Sequence, residues 1–337
     1  MRKVLVLRHL SVLGVALIAA AALAGGASAG SHPTVHRAGS TSAHTMRYDS
    51  VFTRLAKPKD ATFTCQPDPN AVGAVCYGPQ QIQHAYGVDK LYAKGWDGTG
   101  RTIAIIDAFG NPSVQTDLAV FDEIWGLPDP PSFNIVTMPG TPAFDYGNKN
   151  VTGWGIEIDL DVEWAHSIAP GANIVLIAAK SDSDEDILAA TKYAIDHNLG
   201  DVISQSFGEA EQCVDPTIAA QTHKAFEKAQ RKGITLFASS GDEGSAQPSC
   251  DGSSWIKAAS SPANDPLVTA VGGTELFASP DGCEDADGNI ITCDPPLPTP
   301  GTYGHEVAWD ELDNDPILGG PGLGDAATGG GFSKEFR

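Results

Sequence analysis

The run Thr102-Ile103-Ala104-Ile105-Ile106-Asp107 decides how this chain is read. Its apolar residues follow one another without polar alternation, the mark of a strand covered on both faces, and such strands belong to parallel sheets. The turn Asp97-Gly98-Thr99-Gly100 stands before the run instead of after it, so the phosphate loop of a dinucleotide-binding unit is not indicated. Working outward, helical patterns cover residues 113–125, 184–198 and 216–231. Strand patterns cover 133–138, 173–179, 202–206 and 234–238, and an acid-rich helix lies between the second and third strands. A further helix is expected over 81–94, and a hairpin around Asp287-Gly288. This alternation predicts an α/β fold, a doubly wound, mostly parallel sheet with helices on both faces. Ligands meet such sheets at the carboxyl ends of the strands. Here those ends read Asp107, Ser206-Phe207-Gly208 and Ser239-Ser240-Gly241-Asp242.

The acid-rich helix carries Glu157-Ile158-Asp159-Leu160-Asp161-Val162-Glu163. At 3.6 residues per turn, Glu157 and Asp161 share one sector. Ile156, Leu160, Trp164 and Ile168 flank that sector on one side, and Ile158, Val162, Ala165 and Ala169 on the other. Asp159, Glu163 and His166 fall on the opposite face, which reads as the solvent face. Two carboxylates are thus expected on the buried side. Like charges at i,i+4 repel and burial resists ionisation, so the pair is a candidate for a proton-sharing site.

The chain has 337 residues and a net charge of −21, which disfavours nucleic acid and anionic membranes as partners. A basic start, an apolar run from Leu10 to Leu23 and Ala27-Ser28-Ala29 read as a secretory signal over residues 1–29. The expected product is secreted, extracellular and off the membrane once the signal is cleaved. Residues 30–76 read as a linker or short propeptide and 77–337 as the folded domain, expected to be a monomer. Six cysteines in an oxidising setting favour disulfides, and proximity pairs Cys65 with Cys76, Cys213 with Cys250, and Cys283 with Cys293. No metal site is indicated. Asp285-Ala286-Asp287-Gly288-Asn289 lacks the glutamate that a calcium-binding EF-hand needs, and it reads as a turn.

Several motifs, in order, resemble those of the sedolisin family, the serine-carboxyl peptidases with a subtilisin-like fold. They are Glu157-x-x-x-Asp161 leading into Ala169-Pro170-Gly171-Ala172, Ser204-Gln205-Ser206-Phe207-Gly208, Ser239-Ser240-Gly241-Asp242, Val271-Gly272-Gly273-Thr274 and Thr328-Gly329-Gly330-Gly331-Phe332-Ser333. The resemblance runs from about residue 77 to the end. It implies a serine-type endopeptidase acting in acid on protein or peptide substrates through a Glu/Asp/Ser triad. Glu157 would be the general base, Asp161 its orienting partner and Asp242 the oxyanion-hole donor. Ser206, Phe207 and Gly208 would line the substrate backbone, and Asp107 would extend the acid network.

The resemblance also implies a nucleophilic serine in a Gly-Thr-Ser motif, and a calcium site later still. Neither lies within these residues. The C-terminal part of the fold is therefore expected to be missing, no cofactor is expected here, and the chain as written is expected to be inactive. The alternative is a non-catalytic secreted pseudopeptidase or binding module. A histidine-based subtilisin-like enzyme is disfavoured because His166 falls opposite Glu157, as a surface histidine paired with acids.

Overall fold

The computed structural model describes residues 47–48, 77–278, 283–284, 290–291, 302–311 and 326–336. The expected signal, the Cys65–Cys76 and Cys283–Cys293 pairs and the Asp285–Asn289 turn lie outside them.

The described residues fall into two compact units. The larger is built on a parallel sheet of six strands: β1 (Thr102–Ala108), β2 (Phe133–Thr137), β3 (Asn173–Ala179), β4 (Val202–Gln205), β6 (Thr235–Ser239) and β7 (Thr269–Val271). β5 (Phe207–Ala210) lies outside this sheet. The strand order is β7-β6-β4-β1-β3-β2. After β1 the chain builds to one side, and after β3 it crosses to the other. β1 and β4 therefore flank the switch point, where the crevice of an open α/β sheet forms.

Four helices cover the sheet: α1 (Val114–Trp125), α2 (Lys149–Ile168), α3 (Asp184–His197) and α4 (Pro216–Lys232). Ile105, Ile174 and Leu176 of the sheet pack with Val114 and Leu118 of α1 and with Ile158 and Val162 of α2. Alternate residues Ala104, Ile106 and Ala108 join Leu188 and Ile195 of α3 and Phe226 of α4 in the second core. Both faces of β1 are thus buried, as its unbroken apolar run requires.

Local chemistry sets the helix ends. The Asn148 side chain accepts from the backbone N–H groups of Asn150 and Val151 at the start of α2, and Pro170 follows its last turn. Ser183 caps α3, with Asp184, Glu185 and Asp186 in the first turn, where acids complement the helix dipole. Asp215 caps α4 and Pro216 follows it at the first helical position.

The smaller unit carries helix Pro79–Ala85 and an antiparallel pair, Thr274–Ala278 with Tyr303–Ala308. The Tyr77 hydroxyl donates to the Leu276 carbonyl at 3.1 Å and accepts from the Ala278 N–H at 3.0 Å. The expected helix over 81–94 is two short helices, because the chain turns at Gly87 before resuming at Asp89–Tyr92. Cys283–Glu284 pairs antiparallel with Ile290–Ile291 on either side of the expected hairpin, whose turn lies outside the described residues.

Cys213 and Cys250 form a disulfide across a separation of 37 residues. Opening it with the double substitution Cys213→Ser/Cys250→Ser is expected to lower unfolding free energy by about 2–4 kcal/mol, measured by urea titration, because a loop of this size restrains the unfolded chain.

Candidate active site

The sheet register fixes where the acids meet. Ile106 of β1 lies opposite Gln205 of β4, so the next residues, Asp107 near the end of β1 and Ser206 just past β4, lie side by side on the face that α2 covers. Glu157 of α2 is fully buried, and the Ser206 hydroxyl donates to its Oε1 at 2.5 Å. Asp107 is also fully buried. Burial, reinforced by the charge of Asp161, holds its carboxyl well above the usual carboxylate range. Glu157, Asp161, Asp107 and Ser206 thus come from three elements to one place, the switch point of the sheet.

Immediately beyond Asp107 the backbone is strained. Phe109 has φ +63°, a left-handed conformation that a bulky side chain rarely adopts, and its N–H donates to Ala179 O at 2.9 Å. The turn this creates presents Asn111, whose side-chain amide donates to Asp159 Oδ1 at 2.7 Å and to Gly155 O at 3.1 Å. Asn111 was missed from sequence. Its only signal is the turn-forming Gly110-Asn111-Pro112 at the end of the central strand.

Asp242 stands half-buried in the turn after β6, the strand next to β4. The turn depends on Gly241 at φ +97°, and the Asp242 carbonyl accepts from Ala327 N–H at 2.8 Å. Phe207 and Gly208 begin β5 and are buried. β5 pairs antiparallel with Ser260–Ser261 on one side and with Arg47–Tyr48 on the other, Tyr48 opposite Phe207 and Arg47 opposite Gly208.

The expected solvent face of α2 is a correction. Asp159 is half-buried, Glu163 is 9% exposed and His166 is fully buried. The reason is α1, which packs along that flank. Phe121 meets Trp164 edge to face, and Asp122 Oδ1 lies 3.3 Å from His166 Nε2. A helical wheel assigns to water whatever its own helix leaves polar, and here a neighbouring helix takes that place. His166 is therefore no surface histidine. Its Nε2–H donates to Pro128 O at 2.7 Å, and burial lowers its pKa, which favours the neutral ring. Burial also pushes Asp122 up to about 7, helped by Asp129. Glu163 rises to about 9 through burial and then the charges of Asp159, Asp117 and Asp122.

Comparisons with known proteins bear on the family and the fold. Residues 146–305 match the model of the subtilase family. The chain is 30% identical over 286 residues to kumamolisin of Bacillus sp. (strain MN-32), covering 80% of this chain and 47% of that protein. It is 31% identical over 243 residues to sedolisin of Pseudomonas sp. (strain 101), covering 69% of this chain and 36% of that protein. The solved structure of Pseudomonas sedolisin, a serine-carboxyl proteinase complexed with two molecules of pseudo-iodotyrostatin, superposes with a TM-score of 0.54 at 25% identity, over 77% of this chain and 63% of that one. The chain is a sedolisin homologue. Its fold is subtilisin-like, and it falls within a protease superfamily. The sedolisin-like chain spans about half the length of kumamolisin, or less of sedolisin. Among its described residues no helix is long and apolar enough to cross a membrane.

The buried acids of this sedolisin-like fold make its stability depend on pH. Glu163 has a folded pKa of about 9 against an ordinary value of 4.5, so the folded state holds its proton more tightly than the unfolded state. That contribution is complete in acid and is lost as pH rises from about 4.5 to about 9. Glu163→Gln is expected to raise unfolding free energy on the order of 2–3 kcal/mol at about pH 7 and to change it little at about pH 4, read from urea titrations at the two pH values.

Proposed function

We propose that this domain belongs to a secreted endopeptidase of the serine-carboxyl type, hydrolysing peptide bonds of protein or peptide substrates in acid. The observation that carries the proposal is the grouping of Glu157, Asp161 and Asp107 at the switch point, with a hydroxyl already 2.5 Å from the buried Glu157 Oε1. A histidine base is protonated well below its usual pKa of about 6.5, whereas coupled carboxyls can share a proton and leave one oxygen basic in acid.

In this mechanism Glu157 takes the proton of a serine hydroxyl as that oxygen attacks the peptide carbonyl carbon. Asp161 orients Glu157, and Asp107 extends the acid network behind it. Asp242, in its neutral acid form, donates a hydrogen bond to the carbonyl oxygen as negative charge gathers there. Glu157 then passes its proton to the departing amine. Ser206, Phe207 and Gly208 line the path of the substrate backbone. Residues 1–337 contain no Gly-Thr-Ser, so no residue among them is assigned the nucleophile, and the 337-residue chain alone is expected to be inactive.

The test is peptide hydrolysis between about pH 3 and 8 by the gene's full reading frame and, separately, by the 337-residue chain. An acid maximum is expected from the former, and Glu157→Gln or Asp161→Asn should lower kcat by about 10²–10⁴-fold. A rate climbing steadily to neutral pH overturns the mechanism. Absence of hydrolysis from both proteins overturns the endopeptidase reading, and hydrolysis by the 337-residue chain would move the nucleophile into it.

A further inference from the structure

Residues 326–336 form a strap across the turn that carries Asp242. At its near end three contacts are backbone to backbone and one is from a side chain. Ala327 N–H donates to Asp242 O at 2.8 Å, Gly244 N–H to Ala327 O at 2.9 Å, and Gly329 N–H to Gly241 O at 2.6 Å. The Ser240 hydroxyl donates to Gly329 O at 2.8 Å. The approach is so close that a Cβ on Gly329 would lie 1.9 Å from the Ser240 carbonyl oxygen. Gly329, Gly330 and Gly331 bring no side chain to bury, and Phe332 is 98% exposed. Hydrophobic packing therefore holds this part of the strap weakly, and polar contacts must do so.

The far end lands on one carboxylate. Glu211 is buried at the start of a short 3₁₀ turn, next but one to Cys213 of the disulfide, and its own N–H donates to Ala259 O at 3.0 Å. Its Oε2 accepts from the Ser333 hydroxyl at 2.6 Å and from Asn264 Nδ2 at 3.0 Å, and its Oε1 accepts from Lys334 N–H at 2.8 Å. Charge-assisted bonds of this kind are about twice as strong as neutral ones. Beyond them the Phe336 ring packs 5.3 Å from that of His223, which pairs with Asp265.

We propose that Glu211 is a positioning residue for the Asp242 turn: it clamps the far end of the strap, and the strap holds the turn. The clamp stands on these contacts alone. Its consequence for catalysis rests on the role given to Asp242 above.

The charged groups around Glu211 suit a clamp that persists in acid. Lys334 sends its Nζ to Lys257 O, Glu335 reaches Asn264 Nδ2 at 3.4 Å, and His223 and Asp265 satisfy each other. Burial pushes Glu211 up, but the bonds from Ser333, Lys334, Asn264 and the Glu335 backbone outweigh it and leave the carboxyl below its ordinary value. A depressed pKa means that the stabilisation is complete above the ordinary carboxyl value and is lost only as pH falls through the lower, folded one.

The experiment is residue-resolved amide exchange on the 337-residue chain at about pH 5, together with a carbon-13 titration of the Asp242 carboxyl. In Glu211→Gln, exchange at Ala327, Gly329 and Gly244 is expected to rise by about tenfold or more, with β1 and β3 unchanged and the Asp242 titration displaced. Gly329→Ala lifts the strap from its other end with Glu211 intact. It should expose Ala327 and Gly244 in the same way and return the Glu211 carboxyl toward its ordinary pKa. Unchanged strap protection in Glu211→Gln overturns the proposal, as does exchange raised equally in β1 and β3. An Asp242 titration identical to wild type in both variants, with the strap released, also overturns it. None of these readouts needs peptidase activity, so failure of the endopeptidase reading and failure of the clamp are separately visible.

Discussion

A helix packed between a sheet and a neighbouring helix has little water to take up its charge, and α2 is such a helix: Glu157, Glu163 and His166 are buried, and Asp159 and Asp161 are half-buried. The sheet takes Ile158 and Val162, α1 takes the flank with Glu163 and His166, and the ends of β1 and β4 take Glu157 and Asp161. Four acids in seven residues must then be accommodated by protonation, by hydrogen bonding or by one another. Protonation is the simplest of these for Glu163 and Asp107, whose carboxyls are held far above the ordinary range. The same burial that gathers these carboxyls therefore ties the integrity of the helix to acid conditions.

Much of the fold was legible because buried parallel strands leave an unmistakable trace. β3 runs Asn173–Ala179, the limits its apolar run suggests, and β1 extends its reading by a single residue. Glu157 was legible as a buried acid because apolar residues flank it on both sides. Glu163 and His166 were not, since the element that covers them, α1, is more than thirty residues away in sequence and its packing partner cannot be read from α2's own periodicity. The pairing of Cys213 with Cys250 follows from nearness in sequence. The Ser206–Glu157 bond depends on the register of β1 against β4, which no local pattern encodes.

The three strand ends of the site differ in how they are fixed. Asp107 and Ser206 inherit their places from the central strands, the most deeply buried part of the sheet. Asp242 instead sits on a glycine turn tied down by a distant segment of backbone. Glu157 and Asp161 ride on a helix capped at its start by Asn148 and closed at its end by Pro170. Rigid elements thus carry the acids, and a restrained loop carries the remaining one, the usual division between a scaffold and the loops that serve a site.

The first turns of α2 hold one further detail. Gly155, two residues before Glu157, faces the Phe144 ring so closely that a Cβ there would lie 2.9 Å from Cζ, and Phe144 in turn meets Tyr146 at 4.9 Å. Positions 144 and 155 therefore occupy one shared volume. The effect of enlarging residue 155 is set by the size of residue 144, so the two substitutions are not additive. Sequence drift in the loop before α2 and drift within the helix itself are mutually constrained, although ten positions of intervening chain would suggest otherwise.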